Sequence, residues 1–137
     1  MTTEGEGAPQ FSLSEAAEAG ELATVQNLLA KGADVNAADE EGWTPLMSAA
    51  AAGKEAITAL LLEQGADVNA KTSFGLTVLM AAAAQGQTAI ATKLLAAGAD
   101  LAARDQNNWT ALIWAAEGKH EETIALLKQS REAQSKG

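Results

Sequence analysis

The sequence "GADVNA" stands at residues 32–37 and again at residues 65–70, and a looser copy, "GADLAA", stands at residues 98–103. The copies begin at Gly32, Gly65 and Gly98, so the interval between them is the same both times. A constant period of about 33 residues is typical of proteins built from stacked structural repeats. Other residues keep the same period, among them Thr44, Thr77 and Thr110, Leu46, Leu79 and Leu112, and the leucine pairs at 28–29, 61–62 and 94–95. The sequence therefore predicts a row of equivalent units.

One unit, residues 39–70, predicts two short helices joined by turns. Thr44 and Pro45 are typical of a helix N-cap and of the first helical position. Apolar residues then recur with helical spacing until Gly53, and a second apolar series ends at Gly65. Helices of this length are unstable alone in water, so each unit must be covered by its neighbour. We therefore expect Leu61 and Leu94, in the second helices, to face away from solvent.

The composition limits the classes of function. The chain has 137 residues, a net charge of −9 and no cysteine, which excludes disulfides and thiolate metal sites. The acidic balance argues against nucleic-acid binding, because phosphate contacts require clustered lysine and arginine. No apolar run approaches the roughly 20 residues that a membrane-spanning helix needs, and the amino-terminal segment "MTTEGEGAPQ" does not resemble a secretory signal. We expect a soluble cytoplasmic monomer without cofactor or metal. The negative net charge is explained most simply by solubility, and binding to a basic partner is the alternative explanation.

The first helix of each later unit begins with a related tetrapeptide. These are "TPLM" at Thr44–Met47, "TVLM" at Thr77–Met80 and "TALI" at Thr110–Ile113. Together with the "GADVNA" endings, they resemble the ankyrin-repeat family, whose unit is about 33 residues long. The resemblance covers roughly residues 11–130. It implies an all-α fold, an ankyrin-repeat α-solenoid of helix-turn-helix units joined by hairpin-like loops, and a function in binding another protein.

We predict one repeat domain with a mobile tail at each end. The four repeats cover about residues 10–37, 38–70, 71–103 and 104–130, and the tails are residues 1–9 and 131–137. Polar terminal repeats keep such arrays soluble. Ser12 and Glu15 have the spacing of a capping box at the start of repeat 1, and the final helix ends in the polar segment "KQSREAQSKG". The chain is therefore expected to be a complete array.

Three features depart from the family pattern. Met47, Met80 and Ile113 stand where the family has a histidine that links loops by hydrogen bonds, so the loops are expected to be less rigid. Asn108 replaces a turn glycine, and asparagine is the next-best residue for a left-handed backbone. Lys119 replaces the glycine between the two helices of repeat 4, and we expect that turn to be reshaped.

Several large apolar side chains occupy positions that stacking does not require. We expect an apolar stripe on the concave face formed by Trp43, Met47, Phe74, Leu76, Met80, Trp109, Ile113 and Trp114, with a polar rim of Glu40, Glu41, Asp105, Gln106 and Asn107. Tryptophan anchors with a polar rim are typical of protein-binding surfaces. The alternative is that the recurring side chains pack internally. Phe74 and Trp114 are the stronger candidates, because neither recurs at the repeat period.

These features favour a partner-binding module over two other classes of protein. An enzyme is disfavoured, because the chain has one histidine, no cysteine and no glycine-rich phosphate loop. A structural scaffold without a specific partner, natural or engineered, is the second alternative.

Three local motifs have both a chemical and a structural interpretation. Asn36 and Asn69 each follow a leucine at a matching distance, Leu28 and Leu61, which resembles the asparaginyl-hydroxylation sites of some ankyrin proteins. The alternative is that their amides hydrogen-bond the turn backbone. The carboxylates of "DEEG", residues 39–42, are suited to a basic partner or a cation, although a solvated hairpin tip is the simpler account. His120 stands at the family's turn-histidine position, which favours a turn role over a metal ligand or a general base.

Overall fold

The structure is a computed structural model, and it describes residues 11–136. The helices form four pairs, one pair in each repeat. In chain order they are α1 (Leu13–Ala19), α2 (Leu22–Ala30), α3 (Pro45–Ala51), α4 (Glu55–Glu63), α5 (Val78–Ala84), α6 (Thr88–Ala96), α7 (Ala111–Glu117) and α8 (Glu121–Lys136). Within the described range the extended chain forms an isolated antiparallel bridge between Lys71 and Thr77 but no strand. The predicted all-α class is therefore confirmed.

The repeats stack side by side. The first helices α1, α3, α5 and α7 pack against one another in one row, and the second helices α2, α4, α6 and α8 form a looser second row. The core lies between these rows, where Leu46, Leu61, Leu79 and Leu94 are buried with exposed fractions of 0–1%. Burying one such side chain stabilises the fold by roughly 1.5–3 kcal/mol. The prediction that each repeat shields its neighbour from water is confirmed.

The starts of the first helices follow from single side chains. The Thr44 hydroxyl oxygen accepts a hydrogen bond from the backbone N–H of Met47 at 3.2 Å, and Pro45 is the first helical residue. In repeat 1, Ser12 and Glu15 form the predicted capping box, with each side chain bonded to the other's backbone N–H at 2.9–3.0 Å. An N-cap of this kind is worth about 1 kcal/mol.

The asparagine of "GADVNA" ties each repeat to the next. The Asn36 side-chain oxygen accepts from the backbone N–H of Asp67 at 2.7 Å, and its side-chain nitrogen donates to the Gly65 carbonyl at 3.4 Å. Asn69 makes the same two bonds to the following loop, at 2.7 and 3.1 Å. The third copy of the motif has Ala102 instead, and there the next repeat continues as a helix and offers no such loop. The bonds give both asparagines a structural reason to be present.

The carboxyl-terminal helix is longer than predicted. Helix α8 spans 16 residues, whereas the second helices of the inner repeats span 9. The predicted tail at 131–137 is therefore corrected, because residues 131–136 continue α8. The reason is that Arg131 stands one repeat period after Gly98, so the glycine that ends the other second helices is missing. The predicted tail at residues 1–9 lies outside the described residues.

The turn inside repeat 4 keeps the shape of the other repeats. Lys119 adopts a left-handed φ of 60°, close to the 79° of Gly53 at the equivalent position. The backbone N–H groups of Lys119 and His120 donate to the last carbonyls of α7 at 3.0 Å, as in the other repeats. The expectation of a reshaped turn was therefore wrong, since these two bonds and the packing of α8 hold lysine in a conformation that favours glycine. Asn108 has the expected positive φ, 69°.

Candidate functional site

The hairpin tips before α3, α5 and α7 are built on one recurring acceptor. Asp39, Thr72 and Asp105 occupy equivalent positions in successive repeats, and one side-chain oxygen of each accepts two backbone N–H groups at 2.9–3.2 Å. One of the two donors always belongs to the residue after the turn glycine or its Asn108 counterpart, such as Trp43 or Trp109. These three acceptors were not predicted from the sequence, although side chains with an oxygen acceptor recur there at the repeat period. These bonds fix the backbone at Trp43, Leu76 and Trp109, from which the large apolar side chains project.

Neighbouring hairpin tips are also bonded to each other. The backbone N–H of Ser73 donates to the Glu41 carbonyl at 2.8 Å, and that of Gln106 donates to the Phe74 carbonyl at 2.9 Å. The Gln106 side chain adds a bond to the Ser73 carbonyl at 2.7 Å. These bonds join the tips of repeats 2, 3 and 4 into one ribbon. They supply links between loops in a chain that lacks the family's linking histidine.

The structure places two predicted members of the apolar stripe inside the core. Met47 and Met80 have exposed fractions of 0% and 1%, so the prediction that they line the surface is corrected. The reason is that α3 and α5 each have a neighbouring first helix on both sides. Ile113, at the equivalent position of α7, is half-buried. It lies with Leu101 and Arg131 along a separate depression of about 380 Å³ at the carboxyl-terminal end.

Other members of the stripe remain at the surface. Phe74 is 38% exposed, and Trp43 and Leu76 are half-buried. The three side chains line one depression of about 320 Å³ between the hairpins of repeats 2 and 3. Among the rim residues, Glu40, Glu41, Gln106 and Asn107 are exposed, whereas Asp105 is buried with an exposed fraction of 7%.

Trp114 is held by internal contacts. Its ring packs edge-on against Trp109, with ring centroids 4.8 Å apart. Its indole N–H donates to the second carboxylate oxygen of Asp105 at 2.8 Å. The Asp105 side chain therefore accepts three N–H groups from repeat 4, which explains how its carboxylate can be buried. The sequence predicts Trp114 as a surface anchor because it does not recur, but its contacts with Trp109 and Asp105 give it a packing role.

A second depression, of about 610 Å³, lies between repeats 1 and 2 and is acidic. Its aromatic member is Trp43, and Ser48 also lines it. Four carboxylate side chains line it: Glu15 and Glu18 from α1, and Asp39 and Glu41 from the hairpin of repeat 2. Trp43 and Glu41 also line the depression beside Phe74, so the two depressions adjoin. The "DEEG" carboxylates thus lie opposite the carboxylates of another repeat, which the sequence motif alone did not indicate.

His120 has a structural contact. Its Nε2 atom lies 3.0 Å from the carbonyl of Ala84, near the end of α5. Gln87, one repeat earlier, donates its side-chain N–H to the equivalent carbonyl of Ala51 at 3.2 Å. Both side chains thus link one repeat to the preceding one, which agrees with the turn role. Among residues 11–136, no three His, Asp or Glu side chains converge as metal ligands would.

No helix in the part of the chain that the structure describes combines the length and the apolar character that crossing a bilayer requires.

The comparisons with known proteins agree with this architecture. A family model described as ankyrin repeats, in three copies, matches residues 13–105 and, in a second placement, residues 57–136. The search of curated proteins found no match. The two placements together cover every helix from α1 to α8, and the chain belongs to the ankyrin-repeat family.

Proposed function

We propose that the chain is a non-catalytic module that binds another protein through its hairpin tips and first helices. Ankyrin repeats are generally protein–protein interaction modules and are typically non-catalytic. The proposed contact residues are Trp43, Phe74, Leu76, Trp109 and Ile113, with Glu40, Glu41, Gln106 and Asn107 at the rim. The cytoplasmic location and the monomeric state stay predictions from the sequence.

The observation that carries the proposal is the exposure of Phe74 on a fixed hairpin. Its side chain is 38% exposed, while its backbone N–H and carbonyl are both hydrogen-bonded to neighbouring residues. Binding costs less entropy when the contact residues are already ordered. A large apolar side chain beside half-buried Trp43 and Leu76 therefore forms a preorganised anchor site for a partner.

A capture experiment tests this proposal with a matched control. Phe74→Ala removes the anchor, and Phe11→Ala removes a phenylalanine that is also exposed, at 44%, but lies outside the stripe. We expect proteins captured by the wild-type chain from its host to be lost with Phe74→Ala and retained with Phe11→Ala. Far-ultraviolet circular dichroism should be the same for all three chains. Equal capture by the Phe74→Ala chain would contradict the proposal.

A further inference from the structure

Repeats 2 and 4 share two residues of the concave face but differ at a third. Asp39 and Trp43 in repeat 2 correspond to Asp105 and Trp109 in repeat 4. In repeat 4, Trp114 covers this pair: its ring packs against Trp109, and its N–H bonds to Asp105. A planar group with an N–H donor thus occupies the space between the aromatic ring and the carboxylate.

In repeat 2 no residue of the range 11–136 fills the same space. The residue equivalent to Trp114 is Ser48, whose short side chain lines the depression of about 610 Å³ beside Trp43. Asp39 uses one carboxylate oxygen for the two backbone N–H groups of the hairpin. Within residues 11–136, no side chain donates a hydrogen bond to its other oxygen. The corresponding oxygen of Asp105 accepts the indole N–H of Trp114. Repeat 4 therefore shows, within one chain, the kind of group that fits the open site in repeat 2.

The charge around the two sites differs. Besides Asp39, three carboxylate side chains line the depression in repeat 2, namely Glu15, Glu18 and Glu41. The residues at the corresponding positions around Trp114, two repeat periods later, are neutral: Ala81, Ala84 and Asn107. A neutral indole suits the neutral surroundings of repeat 4. The surroundings of repeat 2 instead favour a planar N–H donor that carries a positive charge.

We propose that the acidic depression between repeats 1 and 2 binds an arginine side chain of a partner polypeptide. A guanidinium group is planar, stacks on aromatic rings and presents several N–H donors that match carboxylates. It would lie against Trp43 and donate to Asp39 and to the glutamates of α1. The adjoining depression beside Phe74 takes an apolar side chain of the same segment. This inference rests on the proposed function, because it requires a partner on the concave face.

The test uses a peptide library, so that no partner need be known beforehand. A randomised library of short peptides displayed on phage is selected against the full chain. We expect arginine to be enriched at one position, with an apolar residue near it. The best peptide is then synthesised with arginine, lysine or citrulline at that position, and its dissociation constant is measured by titration calorimetry. Citrulline keeps the shape of arginine without its charge and should weaken binding about tenfold or more.

Variants of the chain locate the site. Glu15→Gln with Glu18→Gln should weaken the arginine peptide about tenfold, while glutamine at position 15 can still serve the capping box. The matched control, Glu55→Gln with Glu63→Gln, removes two charges from the exposed face of α4 and should leave binding unchanged. Ser48→Trp fills the depression as Trp114 does in repeat 4 and should abolish binding. If the Ser48→Trp chain does not fold, the two glutamate double variants alone test whether this depression is the binding site.

Each outcome supports or overturns the inference. No binder, no enrichment of arginine, equal affinity for the citrulline peptide, or equal loss in the control variant would overturn it. Equal affinity for the lysine peptide would show a site for charge alone and would overturn the assignment of a guanidinium. The proposed function is tested separately, because capture that depends on Phe74 can persist when arginine selection fails.

Discussion

Repeat 2 has a neighbouring repeat on each side, whereas repeat 4 has one only on its amino-terminal side in the described chain. Their hairpins and first helices are built alike: the side chains of Asp39 and Asp105 accept equivalent backbone N–H groups, and each first helix has seven residues after a threonine N-cap. Their side chains nevertheless have different environments. Met47 is buried and its counterpart Ile113 is half-buried, while Asp39 is exposed and its counterpart Asp105 is buried. A repeat period therefore predicts which residues are equivalent in backbone position, but each residue's burial depends on its neighbours.

The largest expected difference concerns the first-helix position shared by Met47 and Ile113. Met47→Ala should lower the free energy of unfolding by about 2–5 kcal/mol, because it leaves a cavity between packed helices. Ile113→Ala should lower the free energy of unfolding clearly less, since part of that side chain already contacts water. Urea denaturation followed by circular dichroism measures both losses. Equal losses would show that the end of the array packs as tightly as its middle.

A smaller difference is expected between the two hairpin aspartates. Asp105→Ala leaves three N–H donors without their acceptor, one of them the indole of Trp114, and should cost about 2–3 kcal/mol. Asp39→Ala leaves two backbone N–H donors that water can reach, so the loss in free energy of unfolding should be smaller. The same urea experiment gives both values. The fluorescence of Trp114 should also change in the Asp105→Ala chain, and Trp114→Phe serves as the control that identifies this signal.

Much of the fold could be predicted from local chemistry. The Thr44 cap, the Ser12 capping box and the burial of Leu61 all follow from residue types at fixed spacing. The length of α8 was missed, although the absence of a glycine at position 131 was visible. The polar composition of that segment favours a tail, but an exposed helix can have the same composition.

The candidate site was harder to predict, because it depends on contacts between repeats and between separate elements of one repeat. Met47 was expected at the surface, although its recurrence as Met80 and Ile113 also fitted the alternative of internal packing, which holds for Met47 and Met80. Trp114 does not recur at the repeat period, which on the sequence alone favours a functional role. Its bond to Asp105 spans the hairpin and the start of α7, so no single local motif contains both residues. The acidic depression combines α1 with the hairpin of repeat 2, so neither the "DEEG" motif nor Glu15 indicated it alone.

The smallest effect is expected at the turn between the two helices of a repeat, where repeat 2 has Gly53 and repeat 4 has Lys119. Both residues have a left-handed φ, which costs a lysine roughly 1–2 kcal/mol relative to the right-handed region. Lys119→Gly removes this strain. Glycine also gives the unfolded chain more conformational freedom, which lowers the free energy of unfolding by roughly 0.4–1 kcal/mol. The difference predicts a net stabilisation of about 0.8 kcal/mol. The reverse change, Gly53→Lys, should destabilise repeat 2. Urea denaturation of both variants decides the point, because destabilisation by Lys119→Gly would show that the lysine side chain itself stabilises the turn.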